Sequence, residues 1–460
     1  MSVLAQLLDA LGPDVVTPGP EVPERNRHDW AGLPPVTPLA LIRPRNTAEV
    51  STALRLCHET GTPVVPQGGL SGISGGAQPV AGAVALSLER MTRLISVDPQ
   101  MATLTAEAGC VLQVAQEAAA VQGLMLAVDL GARGSCTLGG IVSTNAGGNQ
   151  VLRYGMTRDH VLGLEAVLAD GTVLQSMNTM LKNNAGLDLK QLFIGSEGLM
   201  GVVTQVVMRL QPKPTASATA FCGCADTAGV LALLARARAM LGPELVSFEV
   251  MWPSFYDLMR EGSGARHPLS ASYGAYVIVE AGGFDEALRD RLEACLAEAL
   301  AAGEFTDAVL AGSKREEREL WAVRESVAEY GRILGPLTAF DVGVPLARMA
   351  EAVTRLEAGI AARWPGARAL SYGHLGDSNL HLVVNVPQAG AEQPAKEIKA
   401  FVYGEIRALE GTVSAEHGIG TIKRDYLPYS RTPEELATMR CLKAALDPKG
   451  ILNPGKGFAA

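Results

Sequence analysis

The sequence predicts an α+β protein of two or three domains, and three observations predict it. A chain of 460 residues exceeds what one ordinary core holds. Its first half threads glycine-rich loops between short apolar runs, a pattern of strands and close turns. Beyond Pro212 and Pro214 the text changes to longer runs alternating between strand and helix character, so a boundary falls there. Hydrophobic residues at 48% and charged residues at 19% supply a large core and leave little room for disorder.

Charge and cysteine usage narrow the class. Basic residues number 39 against 48 acidic ones, for a net charge of −9, and no basic run stands out to track a phosphate backbone, which excludes nucleic acid as a partner. Seven cysteines (Cys57, Cys110, Cys136, Cys222, Cys224, Cys295, Cys441) are odd in number and scattered, as reduced thiols of a cytoplasmic protein are. Cys222 and Cys224 in TAFCGCAD read as strand residues, since nothing nearby completes a metal knuckle. The first residues, MSVLAQLLDALGPD, put Leu4, Leu7, Leu8 and Leu11 on one helix face, without a basic leader or cleavage site. No run of about 18 apolar residues occurs, so no membrane span is expected, while peripheral attachment to an inner membrane stays compatible.

From Pro44 the chain reads PRNTAEVSTALRLCHETGTPVVPQGGLSGISGG. Thr47 is a fair N-cap for a helix through Val50, Leu54 and Cys57, and Gly61 ends it. The strand PVVP leads into a loop with Gly68, Gly69, Gly72, Gly75 and Gly76, followed by an apolar run at Ala83 to Leu88. A Rossmann turn must pass from strand into helix and a P-loop must end in Gly-Lys-Ser/Thr, so neither motif is present. Successive unencumbered N–H groups between two strands can still curl into an anion nest, although the same text also suits a plain glycine-rich turn. A helix-like stretch, Cys110 to Val121, precedes LGARGSCTLGGIVSTNAGG, whose small residues let main chain approach a large planar ligand. GLEAVLADGTVL is a hairpin with Asp170 and Gly171 at its turn, and Gly195 to Gly201 form a third small-residue loop feeding a strand.

The second half gives a strand at YGAYVIVEA, helices at DEALRDRLEACLAEALAAG and SKREERELWAVRESVAEYGRI, a strand at TAFDVGVP, and helices at LARMAEAVTRLEAGIAARW and AKEIKAFVYGEIRALEG. This order predicts a sheet covered by helices on one side. Between the last two helices lies SYGHLGDSNLHLVVNV, with His374 and His381 seven residues apart. That odd spacing sends the rings to opposite faces of one straight strand, but a turn at Gly376 to Asn379 lets them converge. Further on, SAEHGIG sets Glu416 beside His417. Two imidazoles and a carboxylate are a usual ligand set for a catalytic divalent metal with an open position. Spacing alone does not choose between that site and unrelated loop histidines.

Taken together, PVVPQGGLSGISGG, LGARGSCTLGGIVSTNAGG, RYGMTRDHVLGLEAVLADG, GSEGLMGVVT, YGHLGDSNLHL, SAEHGIG and LNPGKGF stand in the order seen in FAD-linked D-2-hydroxy acid dehydrogenases. The chain resembles that family from about Thr37 to Phe458. The family includes D-lactate and D-2-hydroxyglutarate dehydrogenases and the glycolate oxidase FAD subunit, and has the vanillyl-alcohol-oxidase (PCMH) type of flavin domain. The resemblance implies an FAD-binding domain over 1–214, a substrate and metal-binding cap domain over 215–425 with an antiparallel sheet covered by helices, and a segment over 426–460 that returns to the FAD domain. It implies that Pro66, Gly68, Gly69, Leu70, Ser71, Gly72, Ile73 and Ser74 hold the FAD pyrophosphate. Gly134, Ser135, Gly140, Asn145, Ala146 and Gly147 would line the isoalloxazine side, Glu197, Gly198 and Val203 would seat the rest of the cofactor, and Asn453 would return to the flavin. The first loop has no histidine or cysteine, so non-covalent FAD is expected, with Cys136 the nearest residue that could tether it.

The same resemblance makes His374, His381 and Glu416 ligands of a divalent metal, zinc first, with manganese or iron as alternatives, and makes His417 the active-site base. A 2-hydroxy acid can chelate such an ion through carboxylate and hydroxyl, which lowers the hydroxyl pKa and aims the C2 hydrogen at flavin N5. A neutral imidazole then takes the hydroxyl proton. Arg324 in WAVRE would pair with the substrate carboxylate, a task that suits a planar fork, although its helix alone reads it as exposed. In D-2-hydroxyglutarate dehydrogenases a threonine, a lysine and an asparagine that help hold the substrate align with Ala328, Ala339 and Val383 here. A carboxylate facing three apolar side chains is costly, so the expected substrate is monocarboxylic, lactate-like or with a longer apolar tail. Arg332 is a rival source of charge, and a D-2-hydroxyglutarate or malate-type dehydrogenase, or an O2-using oxidase, is the alternative reading. Without a Rossmann signature, electrons should pass to an acceptor other than NAD, such as an electron-transfer flavoprotein, a quinone or a cytochrome. A homodimer is compatible with the sequence.

Overall fold

The computed structural model describes residues 1–269 and 271–458. The chain divides into two compact units, one formed by Met1–Gly148, Gly155–Lys213 and Glu416–Ala460, the other by Asn149–Tyr154 and Pro214–Ala415. The return to the first unit begins at Glu416, where the expectation had 426, because Thr421 and Ile422 already donate their N–H groups to the Ser74 carbonyl of that unit.

The first unit holds two main sheets. β1 (Val16–Pro18), β2 (Ala40–Ile42), β3 (Val64–Gln67) and β4 (Val84–Ser87) run in the order β1-β2-β4-β3, with β2, β3 and β4 parallel. The helix Thr47–Thr60 supplies the crossover that parallel strands require. Its N-cap is Asn46 rather than Thr47: the Asn46 side chain accepts from the Glu49 N–H, and the Thr47 hydroxyl is free to donate to Glu165 Oε1. Gly61 ends the helix in the left-handed region at a φ of 68°. The second sheet uses β5 (Leu94–Asp98), β6 (Thr103–Glu107), β8 (Val161–Val167), β9 (Val173–Ser176) and β10 (Val202–Arg209) in the antiparallel order β5-β6-β10-β8-β9. Short strands β7 (Leu124–Met125) and β11 (Gln211–Pro212) pair with each other. Val64 also bridges to Leu452, so the tail extends the first sheet.

The second unit is built on seven strands: β12 (Ala216–Cys224), β13 (Leu245–Met251), β14 (Ala275–Gly283), β15 (Asp307–Leu310), β16 (Thr338–Gly343), β17 (Arg368–His374) and β18 (Asn379–Asn385). They run in the order β15-β12-β14-β13-β17-β18-β16 with every neighbouring pair antiparallel. Helices cover both faces, not one. Phe255, Tyr256 and Met259 of the helix Pro253–Ser263 and Leu320 and Val323 of the helix Lys314–Glu325 pack on Phe221, Met251, Tyr276 and Tyr372. The alternate residues Cys222, Val250, Val277 and Leu382 are buried as well, and the helices Thr227–Leu241, Leu288–Ala301 and Met349–Arg363 also pack on these strands. Burial on both faces explains why every residue of β13 and β18 is buried and why β14 reads as a nearly continuous apolar run. Each large side chain so buried stabilises by about 1.5–3 kcal/mol. No helix among the described residues is long and apolar enough to cross a membrane.

Candidate functional site

The hairpin of β17 and β18 resolves the odd spacing of the two histidines. A 3-10 turn at Leu375–Asp377 and Ser378 at a φ of 70° reverse the chain. His374 and His381 then share one face of the sheet, with ring centroids 5.3 Å apart and both residues buried. Glu249 of β13 lies directly opposite His374 and is 1% exposed. Its Oε1 stands 2.8 Å from Nδ1 of His374, and its Oε2 accepts from Nε of Arg324 at 3.0 Å. Burial alone would push the Glu249 carboxyl up, but His374 and Arg324 outweigh it and hold it below the usual carboxylate range.

An ionised carboxylate only accepts, so Nδ1 of His374 carries the proton and Nε2 keeps its lone pair. Arg324 agrees, because its Nη2 lies 3.3 Å from Nε2 and can only donate. This tautomer is the one a divalent ion needs, and a carboxylate behind the distal nitrogen is the usual support of a metal-binding imidazole. That lone pair accepts from Arg324 here, so an ion bound to Nε2 would have to displace the Arg324 N–H. Arg324 is buried rather than exposed, with Cζ 4.7 Å over the Tyr372 ring.

Strand register fixes what surrounds His381. One row across the sheet reads Met251, Tyr372, His381, Asp341, and the next reads Leu370, Val383, Ala339. Asp341 is fully buried and accepts from Asn379 Nδ2 at 2.7 Å and from Ser414 Oγ at 3.2 Å. Val383 packs with Leu370, Tyr372 and Phe255. Ala328 lies apart from these rows, exposed in the 3-10 turn Ser326–Glu329. Arg332 is exposed and bonded to Glu329 Oε2 and the Gly262 carbonyl, both at 2.6 Å.

In the first unit the loop after β3 meets the second glycine stretch. A Cβ on Gly69 would run into the Ser135 carbonyl, and one on Gly68 would meet Thr137 and Gly140, so only glycine allows this approach. No N–H from Gly68 to Gly76 donates to another described group, and Leu70 and Gly75 adopt φ values of 60° and 77°. A row of donors without protein acceptors in a left-handed turn is an anion nest, which fits the FAD pyrophosphate. Ser71, Gly72 and Ile73 form the open part of that loop. Asn145, at a φ of 49°, caps the helix Leu138–Thr144, and the Ala146 carbonyl beside Gly147 accepts from Thr157. Gly134 stands beside Gln113. Burial pushes the Cys136 thiol up to about 11, which makes it a poor nucleophile for a tether.

In the third loop, expected to help seat the cofactor, the glutamate is bonded within the protein. Glu197, at a φ of 51°, accepts the N–H groups of Ile419 and Gly420, both at 2.7 Å, so its carboxylate is engaged in holding the loop that carries His417. Burial pushes this carboxyl up despite those two donors. Gly198 packs on Pro66, while Val203 belongs to the core of the unit. Ser74 Oγ donates to the His417 carbonyl at 2.9 Å. Asn453 Nδ2 donates to the carbonyls of Gly76 and Glu197, and Lys456 Nζ donates to the carbonyls of Gly76 and Gln78 and to Asn453 Oδ1. Glu416 opens this last segment of the first unit, one residue after the second unit ends.

Sequence reasoning missed several residues. Arg25, His28 and Trp30 share a cavity of about 230 Å³ with Gly69 and Leu70; they lie some forty residues upstream with no local motif. Glu249 did carry a signal, as a lone carboxylate inside the apolar run LVSFEVM. Lys456 sits in the quoted LNPGKGF without a role having been drawn from it.

Known proteins match this chain along nearly its whole length. The model described as the FAD binding domain matches residues 38–176, and that described as the C-terminal domain of FAD linked oxidases matches 213–457. The mitochondrial D-2-hydroxyglutarate dehydrogenase of Bos taurus is 42% identical over 98% of this chain and 82% of its own length. A Schizosaccharomyces pombe protein, named provisionally as a mitochondrial D-lactate dehydrogenase, is 36% identical over 91% of this chain and 81% of its own. The solved structure of p-cresol methylhydroxylase with substrate bound superposes with a TM-score of 0.78 at 16% identity, covering 99% of this chain and 96% of that one.

Proposed function

Because the chain belongs to the FAD-linked D-2-hydroxy acid dehydrogenase family and has the PCMH-type flavin fold, we propose that it oxidises a monocarboxylic D-2-hydroxy acid, lactate-like or with an apolar tail, to the 2-oxo acid. The observation that carries this reading is the bonded set His374, Glu249 and Arg324, together with the apolar pair Ala339 and Val383 on the row next to that of His381. FAD in the first unit would supply a hydride acceptor for C2, and His374, His381 and Glu416 would hold a divalent ion, zinc first with manganese or iron as alternatives, that would supply a Lewis acid making the hydroxyl more acidic. Arg324 pairs its remaining N–H groups with the substrate carboxylate and fixes which face of C2 is presented. His417 takes the hydroxyl proton through its imidazole, and Ser74 anchors the backbone of that residue through its carbonyl. The nest from Pro66 to Ser74 holds FAD without a covalent bond, and electrons leave to an electron-transfer flavoprotein, quinone or cytochrome. All seven cysteines are free, which suits a reducing compartment such as the cytoplasm, while the bovine and yeast relatives are named mitochondrial.

A second reading, D-2-hydroxyglutarate as substrate, is favoured by the names of the relatives. Anaerobic mixing with a panel of D- and L-2-hydroxy acids separates the two. Bleaching of the flavin fastest by D-lactate or longer apolar D-acids is expected; preference for D-2-hydroxyglutarate establishes the second reading, and no bleaching by any D-acid overturns both. His417→Ala should slow bleaching by roughly 100-fold or more with FAD retained.

A further inference from the structure

We propose that Glu249 is a positioning residue that aims both the metal-binding nitrogen of His374 and the carboxylate-binding edge of Arg324, so that metal affinity and substrate affinity depend on one buried side chain. This rests on the reading above that His374 ligates a metal and Arg324 meets the substrate carboxylate. Glu249 and His374 are directly paired across β13 and β17, which brings their side chains together without any adjustable loop. Each carboxylate oxygen has its own partner, Oε1 with Nδ1 of His374 at 2.8 Å and Oε2 with Nε of Arg324 at 3.0 Å.

The two bonds have separate consequences. The first commits Nδ1 to carrying the proton and leaves Nε2 as the only nitrogen of His374 able to ligate. The second occupies Nε of the guanidinium, so a ligand carboxylate must meet the terminal edge formed by Nη1 and Nη2. Glutamine has almost the same shape but only one acceptor in its amide. Placed here, it can satisfy His374 or Arg324, and its NH2 group then opposes the other donor. One partner must therefore turn: His374 to the other tautomer, or Arg324 to another orientation.

The test uses Glu249→Gln in the FAD-loaded protein, with Zn²⁺ titrated into metal-stripped protein and steady-state kinetics run with the D-acid that bleaches the flavin best. Zn²⁺ affinity should fall about 10- to 100-fold. KM should rise and stay raised at saturating Zn²⁺, where kcat recovers toward the wild-type value. A merely structural role would not produce that split, and an unchanged flavin spectrum and melting temperature report intact folding. Wild-type Zn²⁺ affinity together with wild-type KM in Glu249→Gln overturns the proposal. Should that variant fail to fold, Glu249→Asp keeps the charge and loses one methylene of reach; the same two impairments support the proposal and their absence overturns it. His374→Ala and Arg324→Ala separate the layers. If these leave Zn²⁺ binding and KM unaltered, the reading of the site fails; if they do not, and Glu249→Gln behaves as wild type, only the role of Glu249 fails.

Discussion

Glu197 in the first unit and Glu249 in the second draw opposite consequences from withdrawal from water. Glu197 is met by two backbone N–H groups, and burial still pushes its carboxyl up. Glu249 is met by an imidazole and a guanidinium, and these overcome burial to hold its carboxyl down. Backbone dipoles can shape a loop around a carboxyl in either protonation state, whereas side-chain cations are oriented only by the charged form. The first glutamate builds a loop conformation, and the second builds the direction of two functional groups.

Arg324→Ala should break this contrast most. It leaves the Glu249 charge buried with one partner fewer, for a loss of about 3–5 kcal/mol in thermal unfolding; an unchanged melting curve would mean that His374 alone suffices. Lys456 sharpens the Glu197 side, because burial lowers this lysine to about 7 while Asp29 and Glu197 partly oppose that shift. With the folded pKa below the unfolded value, the unfolded chain binds more protons above about pH 7, so the first unit gains stability as pH rises. The gain from about pH 7 to about 8.5 is roughly 2 kcal/mol in FAD-free protein. Lys456→Met should flatten that rise, and a slope that survives the substitution assigns it elsewhere.

Glu197→Ala should cost about 1–2 kcal/mol by stranding two N–H groups, read as faster hydrogen exchange at Ile419 and Gly420. Equal exchange in variant and wild type would remove Glu197 from the role of loop support. The smallest effect is expected from joint Ala339→Lys and Val383→Asn, which touch neither glutamate. Because these positions face each other across β16 and β18, the pair should shift kcat/KM toward D-2-hydroxyglutarate by about tenfold, or ~1.4 kcal/mol. No shift would show that this row does not face the substrate tail.

Legibility in the sequence followed the range of the interaction. The hairpin at Asp170 and Gly171, the helix ended by Gly61 and the reversal between His374 and His381 each follow from residues close in the chain. The capping residue was displaced by one position because Thr47 finds a partner at Glu165, far along the sequence. Arg324 could not be read as buried from its helix, since what buries it is Tyr372 and Glu249 on two separate strands. The same holds for Glu197: its φ and its two acceptor bonds depend on a segment more than two hundred residues later. Helices on the second face of the cap sheet were missed because alternation of strand and helix does not say which face a helix takes.

Synthesis runs in one direction, and the Gly68–Gly76 loop is at the wrong end of it. Gly76 is made long before Asn453 and Lys456, with the whole second unit translated in between. At about 10 residues per second the loop spends roughly half a minute without the tail that bridges Val64 to Leu452 and donates to the Gly76 carbonyl. The seven strands of the second unit are complete before that tail exists. If this loop takes the flavin as proposed, loading should come late, and a nascent chain stalled before residue 453 should be colourless.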